Sequence, residues 1–280
     1  MRKTQVVLVT GASSGIGNAV AKKLAGSGHI VYAAARRRER LAPLEALGVH
    51  ILKMDLTLES DVVACVDSLL AAEGRLDVLI NAAGYGSFGA VEDVPPTEAR
   101  RQFDVNVFGT ARLIQRALPP MRARRSGTII TVSAVAGKIA HPMAGWYIAS
   151  KHALEGLHDA LRAEVRGFGI DVVLVEPAAI RTEFAGIAAR HLFDASADGA
   201  YQDAARKIGN SLNGGEGTPP EAVAQLIGKI LDLPHPKPRY AAGNGAGLLL
   251  FLRRCLPDRA FESVLGFILK MKAQRKGRGR

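Results

Sequence analysis

The sequence predicts an α/β fold in which helices cover both faces of a doubly wound, parallel β-sheet. Short apolar runs rich in β-branched residues recur along the chain, and the stretches between them leave room for crossover helices. The hydrophobic content is 48% but only 5% of the residues are aromatic, which favours the aliphatic core of a sheet covered by helices. At 280 residues, the chain suits one large domain.

The apolar runs predict six strands, and a late segment adds a seventh. The expected strands cover residues 6–9, 29–34, 49–54, 76–80, 128–132, 170–175 and 238–242. The expected helices cover residues 18–25, 61–72, 97–118, 147–167 and 220–231. Pro119 and Pro120 are expected to end the third helix, because proline lacks the N–H group that a helix interior uses.

The predicted organisation is a catalytic domain at residues 1–242 followed by a helical extension at residues 243–280. Residues 185–217 are rich in Gly, Ala and Asp with few large apolar side chains, which favours a mobile substrate loop with short helices. In the extension, one stripe of a predicted amphipathic helix precedes a basic tail. The stripe contains Phe261, Val264, Leu265, Ile268 and Met271.

A glycine-rich turn, Thr10-Gly-Ala-Ser-Ser-Gly-Ile-Gly17, lies between the first strand and the first helix. Glycine lets the backbone approach a pyrophosphate, and the N–H groups and dipole at a helix start attract its charge. The spacing differs from the common Gly-x-Gly-x-x-Gly fingerprint, but its place between strand and helix predicts a dinucleotide site. The expected contacts are Gly11, Ser13, Ser14, Gly15, Ile16 and Gly17.

The second strand ends in arginines, where an NAD-binding protein would be expected to carry an acidic residue. The chain reads Ala33-Ala-Ala-Arg36-Arg37-Arg38. Three arginines on a surface loop are often only solvated charge. At this position, however, the guanidinium groups of Arg36 and Arg37 suit the 2′-phosphate of NADP, because they can bind it through paired, charge-assisted hydrogen bonds.

Two further strand ends complete the predicted cofactor site. Asp55 and Leu56 follow the third strand, where they can meet an adenine ring. The sequence Asn81-Ala-Ala-Gly84 follows the fourth strand and provides small residues where a cofactor would cross the sheet edge. Asn81, Ala82 and Gly84 are the expected contacts, although either segment could equally be an ordinary turn.

Ser133, Tyr147 and Lys151 form the predicted catalytic group. Tyr147 and Lys151 are four residues apart in a predicted helix and therefore share one face. A lysine cation beside the phenol is expected to lower the pKa of Tyr147. Ser133 ends a strand, so that a carbonyl oxygen could be held between its hydroxyl group and Tyr147.

These motifs, in this order and spacing, resemble the classical short-chain dehydrogenase/reductases over residues 4–184. The family implies a Rossmann sheet, a nicotinamide cofactor and hydride transfer to or from a carbon that bears oxygen. The resemblance implies that Tyr147 is the acid/base, that Ser133 orients the substrate oxygen and that Lys151 binds the nicotinamide ribose. It also implies that Asn106 holds a water in a proton relay. Pro177, Ile180 and Thr182 belong to the matching segment after the sixth strand and are further expected cofactor contacts.

The chain departs from the family pattern at two positions. The usual Asn-Asn-Ala-Gly is Asn81-Ala-Ala-Gly, and the usual Pro-Gly is Pro177-Ala178. Neither departure affects a reacting group, so cofactor affinity is the property that they put in doubt.

The predicted substrate is a lipophilic ketone, aldehyde or alcohol. Met143, Trp146 and Phe184 are expected to line an apolar pocket together with Ser133 and Tyr147. The overall pattern is similar to the hydroxysteroid and retinol dehydrogenase-like branch of the family. The alternative function is a dinucleotide-sensing binding protein on the same fold. Such a sensor has no need for the serine, tyrosine and lysine together.

The net charge of +11 does not predict a nucleic-acid partner, because six positive charges lie in the last eleven residues. This tail and the apolar stripe before it are compatible with an additional contact to an anionic membrane surface. Two alternatives stay open: the stripe docks on the domain or on a second subunit, and the tail is only solubilising. The chain has two cysteines far apart in sequence and no long apolar run, which predicts a cytoplasmic protein. No cluster of residues at metal-ligand spacing occurs, so no metal is expected. A homo-oligomer is expected.

Overall fold

One seven-stranded parallel sheet forms the centre of the protein, as predicted. The computed structural model describes residues 4–214 and 217–268. The strands are β1 Val6–Thr10, β2 Ile30–Ala35, β3 His50–Lys53, β4 Val78–Asn81, β5 Gly127–Val132, β6 Ile170–Pro177 and β7 Arg239–Ala242. They lie in the order β3-β2-β1-β4-β5-β6-β7, and all neighbouring pairs are parallel.

The helices connect consecutive strands, except for the last two, which follow the final strand. They are α1 Gly15–Ala25, α2 Ala42–Glu45, α3 Glu59–Glu73, α4 Pro96–Phe103, α5 Thr110–Ala123, α6 Gly145–Val165, α7 Glu183–Ser196, α8 Gln202–Asn213, α9 Pro220–Leu231, α10 Ala246–Cys255 and α11 Asp258–Ile268. The chain runs from β1 towards β3 on one side and from β4 towards β7 on the other. The loops after β1 and β4 therefore diverge and leave a crevice at the carboxyl ends of the strands.

Alternate residues of the strands contribute to two separate cores. On β1, Val7 and Val9 face the layer that contains α1 and α9, whereas Val6 and Leu8 face the layer that contains α3, α5 and α6. All four side chains are completely buried. Burial of such a side chain contributes about 1.5–3 kcal/mol, and burial on both faces explains why the strands are continuous apolar runs.

The predicted end of the third helix at Pro119-Pro120 is wrong. A continuous helical segment includes α4, a π-helical stretch at Asp104–Gly109, and α5, which carries both prolines in its interior. The backbone angle of proline lies in the helical range, and Met121 beyond the prolines is completely buried. Packing on the sheet therefore keeps the last turn helical despite the lost hydrogen bonds.

The segment at 185–217, where a mobile loop with short helices is predicted, lies largely in two helices, and its mobility stays a prediction. α7 has 14 residues and α8 has 12, and they pack on each other. Small residues allow this contact: a Cβ atom on Gly209 would lie 2.3 Å from the Phe193 ring. Ala188 and Ala205 are completely buried. The scarcity of large apolar residues reflects close helix packing and not the absence of regular structure.

The C-terminal extension contains α10 and α11. Phe261, a member of the predicted stripe, is buried at 4% exposure, whereas Leu248, Phe251 and Phe267 are more than half exposed. The predicted residue Met271 and the basic tail lie outside the described residues. In the part of the chain that the structure describes, none of the helices is both long and apolar enough to span a bilayer.

Candidate functional site

A cleft of about 270 Å³ lies at the carboxyl ends of the central strands. It extends from the glycine-rich turn to the start of α7. Most of the residues that the motifs predict line it together, namely Gly11, Ser13, Ser14, Gly15, Ile16, Arg36, Arg37, Asp55, Leu56, Ala82, Gly84, Ser133, Tyr147, Lys151, Pro177, Ile180, Thr182 and Phe184. The structure therefore combines the predicted cofactor and catalytic residues in one site.

The glycine-rich turn is too tightly packed for side chains. Gly11 has a φ of +67°, and a Cβ atom there would lie 2.7 Å from the Ala82 carbonyl oxygen. A Cβ atom on Gly17 would lie 2.5 Å from the Gly11 carbonyl oxygen. No side chain caps the start of α1 at Ser14, so the first N–H groups of the helix are available to an anion. The turn thus fits the pyrophosphate of a dinucleotide.

The loop after β2 provides the cationic part of the cleft. Arg36 and Arg37 line the cleft and form no ion pair within residues 4–214 and 217–268. Arg40 is engaged, because it donates two hydrogen bonds of 2.9 and 2.8 Å to the carboxylate of Glu183 at the start of α7. This ion pair joins the segment after β2 to the start of α7. Two of the arginines are therefore left for a phosphate group.

Gly17 and Asn81 support the cleft without lining it. The Asn81 amide donates to Thr131 Oγ1 at 3.1 Å, across the sheet from β4 to β5. Thr10 Oγ1 accepts the backbone N–H groups of Ala82 and Ala83 at 3.1 and 3.2 Å. These bonds fix the ends of β1, β4 and β5 relative to one another. Direct contact of Gly17 or Asn81 with a cofactor stays a prediction.

Ser133 directly follows β5 and is held by its backbone. Its N–H group donates to the Val175 carbonyl oxygen at 2.8 Å. Its hydroxyl group lines the cleft and is buried, yet it has no hydrogen-bond partner among the described residues. Because buried polar groups are almost always paired, an unpaired hydroxyl here indicates that a ligand oxygen completes the site.

Tyr147 and Lys151 lie one turn apart on the buried face of α6. The Lys151 ammonium group donates to the Val132 carbonyl oxygen at 3.0 Å and lies 5.8 Å from the centroid of the Tyr147 ring. The predicted lowering of the Tyr147 pKa is wrong for this state of the site: burial raises that pKa. Burial also lowers the pKa of Lys151 to about 8, against the opposing effect of the Glu155 charge. The phenol is therefore protonated at neutral pH.

Asn106 lies in the π-helical stretch and does not line the cleft. Its Oδ1 accepts the Tyr85 N–H group at 3.1 Å, and its amide donates to the Tyr85 carbonyl oxygen at 3.0 Å and to Ser150 Oγ at 3.2 Å. Both amide hydrogens are thus engaged within the protein. The observed contacts position the loop after β4, and the water relay stays a prediction.

The substrate end of the cleft differs in part from the prediction. The rings of Tyr147 and Phe184 lie 5.3 Å apart, and Phe88 lies 5.5 Å from Tyr147. Met143 and Trp146 do not line the cleft. Met143 is buried in the core beneath α7, and the Trp146 indole group donates to the Val91 carbonyl oxygen at 3.3 Å. Residue type alone does not reveal which neighbours of Tyr147 line the cleft.

The motifs missed several residues at the site. Tyr85, which lines the cleft, donates to Glu98 at 2.9 Å, and Glu183, which also lines the cleft, pairs with Arg40. Phe88 reaches the site from the long loop after β4. For Tyr85 and Phe88, the available signal was the position of that loop after a strand end. Among the described residues, no group of three or more His, Cys, Asp or Glu side chains could hold a metal ion.

Comparison with known proteins places the chain in a family. The family model for short chain dehydrogenase matches residues 5–191. The uncharacterized oxidoreductase YusZ of Bacillus subtilis is 36% identical, over 93% of this chain and 97% of its own length. The NADPH-dependent 3-dehydrocapnine reductase of Ornithobacterium rhinotracheale is 33% identical, over 95% of this chain and 98% of its own.

A solved structure agrees with these relatives. A short-chain dehydrogenase from Streptomyces avermitilis has a TM-score of 0.81 at 32% identity, and the match covers 96% of each chain. The sequence match, the strand order and the cleft are consistent with one another. This protein belongs to the short-chain dehydrogenase family and has its nucleotide-binding, Rossmann-type fold.

Proposed function

We propose that the protein is an NADP(H)-dependent oxidoreductase that interconverts a lipophilic ketone or aldehyde and the corresponding alcohol. The observation that carries the proposal is the unpaired, buried hydroxyl group of Ser133, which shares a cleft with Tyr147 and Lys151. A sensor of dinucleotides would need the glycine-rich turn but none of these three side chains. Their convergence at the far end of the same cleft supports the enzyme.

Each side chain has a separate task in the reduction of a carbonyl group. The Ser133 hydroxyl donates a hydrogen bond to the substrate oxygen and orients it. Tyr147, protonated at neutral pH because burial raises its pKa, donates the proton that the developing alkoxide requires. Lys151 holds positive charge beside the phenol and stabilises the phenolate that remains. A bound nicotinamide cofactor would supply the hydride.

The preference for NADP follows from the charges at the end of β2. Arg36 and Arg37 line the cleft, and β2 ends without an acidic residue that would repel a 2′-phosphate. Guanidinium groups bind phosphate in paired geometry. The NADPH-dependent relative from Ornithobacterium rhinotracheale supports the same preference.

A lipophilic substrate suits the far end of the cleft. Phe184 and Ile187 of α7 line it, and Phe88 packs against the Tyr147 ring. Aromatic and aliphatic walls with few polar groups favour an apolar substrate body around one reacting oxygen. The decisive test is a panel of ketones, aldehydes and alcohols with NADPH, NADP, NADH and NAD, followed by the absorbance of the reduced nicotinamide. No turnover of any member, together with tight NADPH binding, would favour the sensor.

The C-terminal extension at residues 243–280 has features of a segment that binds a membrane surface. We propose that α10, α11 and the basic tail attach the enzyme to an anionic membrane surface. Leu248, Phe251, Phe267 and Ile268 expose large apolar side chains, and six lysines and arginines follow in the sequence. The expected homo-oligomer is a separate prediction, which light scattering of the purified protein checks.

A further inference from the structure

Two glutamates are buried behind the candidate site without lining it. Glu155 lies on α6, one turn after Lys151, and is 2% exposed. Glu176 lies near the end of β6 and is 3% exposed. Carboxylates are rarely buried to this extent unless their charge is compensated, so the pair requires a physical explanation.

The available cations do not satisfy all four carboxyl oxygens. Glu155 Oε2 accepts from Arg239 Nε at 2.9 Å and lies 3.3 Å from Lys138 Nζ. Glu176 Oε1 lies 3.5 Å from the same Arg239 nitrogen but receives no hydrogen bond from it. Glu155 Oε1 also has no partner among the described residues. Two buried acceptor oxygens therefore lack a donor.

A single proton on one carboxyl group would provide the hydrogen-bond donor that these oxygens lack. An ionised carboxylate can only accept hydrogen bonds, whereas a protonated carboxyl group also donates one. Two adjacent carboxyl groups in a buried site favour the state in which one of them is protonated. Burial and the negative charge of Glu155 raise the pKa of Glu176 to about 7. The two unpaired oxygens and the raised pKa of Glu176 are both consistent with one proton held by the pair.

Glu155, the member of the pair on α6, lies close to Ser133 and Lys151. A Cβ atom on Gly137 would lie 2.8 Å from both Ser133 Oγ and the Glu155 side chain, so only a glycine separates these groups. The charge of Glu155 also raises the pKa of Lys151, whereas burial lowers it. Glu155 is therefore close enough to influence the charge state of the lysine.

We propose that Glu155 and Glu176 form a carboxyl pair that shares one proton, and that Glu155 is a positioning residue whose negative charge keeps Lys151 in its ammonium form. The proposal deepens the proposed function and rests on it for the role of Lys151. Deprotonated lysine would lose the cation that supports Tyr147. The negative charge of the pair therefore stabilises the positive charge of Lys151 at a buried position, where desolvation opposes that charge.

Other charged groups face the pair and contribute to its titration. On α6 these are Lys151, His158, Asp159 and Arg162; Lys138 precedes α6, and Arg239 comes from β7. Arg239 also binds Asp159 through two hydrogen bonds of 2.7 and 2.6 Å, which divides its charge between two acids. Its guanidinium group therefore does not neutralise both buried glutamates.

The first test measures the titration of Lys151 directly and needs no turnover. Protein labelled with carbon-13 lysine is titrated by NMR, and the Lys151 signal is assigned by its loss in Lys151→Arg. We expect a midpoint near 8 in the wild type and a fall of about half a pH unit or more in Glu155→Gln. Glu155→Asp, which keeps the charge, should restore most of the midpoint. Glu164→Gln, an exposed position on α6, should not move it.

An unchanged midpoint in folded Glu155→Gln would overturn the proposal, even if the enzyme is active as proposed. Conversely, a shifted midpoint in a protein without carbonyl reductase activity would support the charge coupling and refute the proposed function. Where turnover is measured, the alkaline limb of the pH profile of kcat/KM should move to lower pH in Glu155→Gln. A loss of activity with no change in that profile would indicate a purely structural role and count against the proposal.

The second test examines the shared proton and does not depend on the folding of Glu155→Gln. The folded-state pKa of Glu176 lies above its unfolded value, so the stabilising contribution of this group is complete at low pH and is lost as pH rises towards about 7. The glutamine in Glu176→Gln does not titrate, so this variant does not lose that contribution as the pH rises. Its Tm relative to the wild type should therefore increase between about pH 5 and about pH 8. A Tm difference that stays constant over this range would refute the shared proton.

Discussion

At the scale of single residues, the site depends on which polar groups burial leaves without a partner. The hydroxyl group of Ser133 is unpaired in the cleft, whereas the side chain of Asn106 is fully engaged by Tyr85 and Ser150. Burial also sets protonation states, because it raises the pKa of Tyr147 and lowers that of Lys151. These effects separate groups that can act on a ligand from groups that position the backbone.

Tyr147→Phe tests the proton donor. The substitution removes only the phenol oxygen, so turnover should fall about 100-fold or more, as expected for loss of general acid catalysis, while NADPH affinity stays close to that of the wild type. Tyr85→Phe is a matched control in the same cleft and should retain most of the activity. Steady-state kinetics and fluorescence titration with NADPH provide the two measurements. Turnover of Tyr147→Phe near the wild-type rate would show that another group donates the proton.

Replacement of Arg36 and Arg37 by serine tests the cofactor preference. Each charge-assisted hydrogen bond to the 2′-phosphate contributes about 1.5–3 kcal/mol, so the double variant should bind NADPH at least about 100-fold more weakly. NADH binding should change little, since NADH lacks that phosphate. The control is Arg38→Ser, an adjacent exposed arginine that does not line the cleft. Equal affinity of the wild type for NADPH and NADH would contradict the prediction.

At the scale of elements, the sequence predicted the strands well because burial on both faces leaves a strong apolar signal in each of them. All seven strands and the strand-to-helix turn agree with the prediction. The errors arise where packing overrides local propensity. α5 continues through Pro119 and Pro120, and α7 and α8 have 14 and 12 residues where only short helices are predicted, because their small residues give a weak apolar pattern. Met143 has a φ of 65°, and neither this backbone angle nor the absence of Met143 and Trp146 from the cleft is revealed by the sequence.

Gly11→Ala tests the turn between β1 and α1 as a structural unit. The added Cβ atom would lie 2.7 Å from the backbone of the loop after β4, at a φ of +67°, so it must displace one strand end from the other. We expect NADPH binding to be lost and the protein to be destabilised by about 2 kcal/mol or more. Gly28→Ala is the control, because Gly28 has a φ of +84° with nothing within 4 Å. Gly28→Ala should destabilise the protein by about 1–2 kcal/mol and leave cofactor binding intact. Equal effects of both substitutions on NADPH binding would refute the role of close packing.

At the scale of the whole molecule, the large exposed side chains of the C-terminal helices do not line the cleft. The cofactor and substrate residues lie at the carboxyl ends of the strands, whereas the exposed side chains of Leu248, Phe251 and Phe267 belong to the C-terminal helices. The net charge of +11 depends largely on the six cations that follow these helices. An attachment that uses the extension would therefore be separable from catalysis. For a lipophilic substrate, such an attachment would bring the cleft close to the membrane that contains the substrate.

Deletion of residues 270–280 tests this separation. Each basic residue near an anionic surface contributes about 1 kcal/mol, so loss of six cations should abolish flotation with anionic vesicles at low salt. Turnover of a water-soluble carbonyl substrate should stay within about twofold of the wild type, because the predicted catalytic residues precede Thr182. Substitution of Phe251 by serine in the full chain separates the apolar contribution from the charge, since it leaves the tail unchanged. If the full-length protein does not float with these vesicles, the exposed apolar face packs against another surface, such as a second copy of the chain.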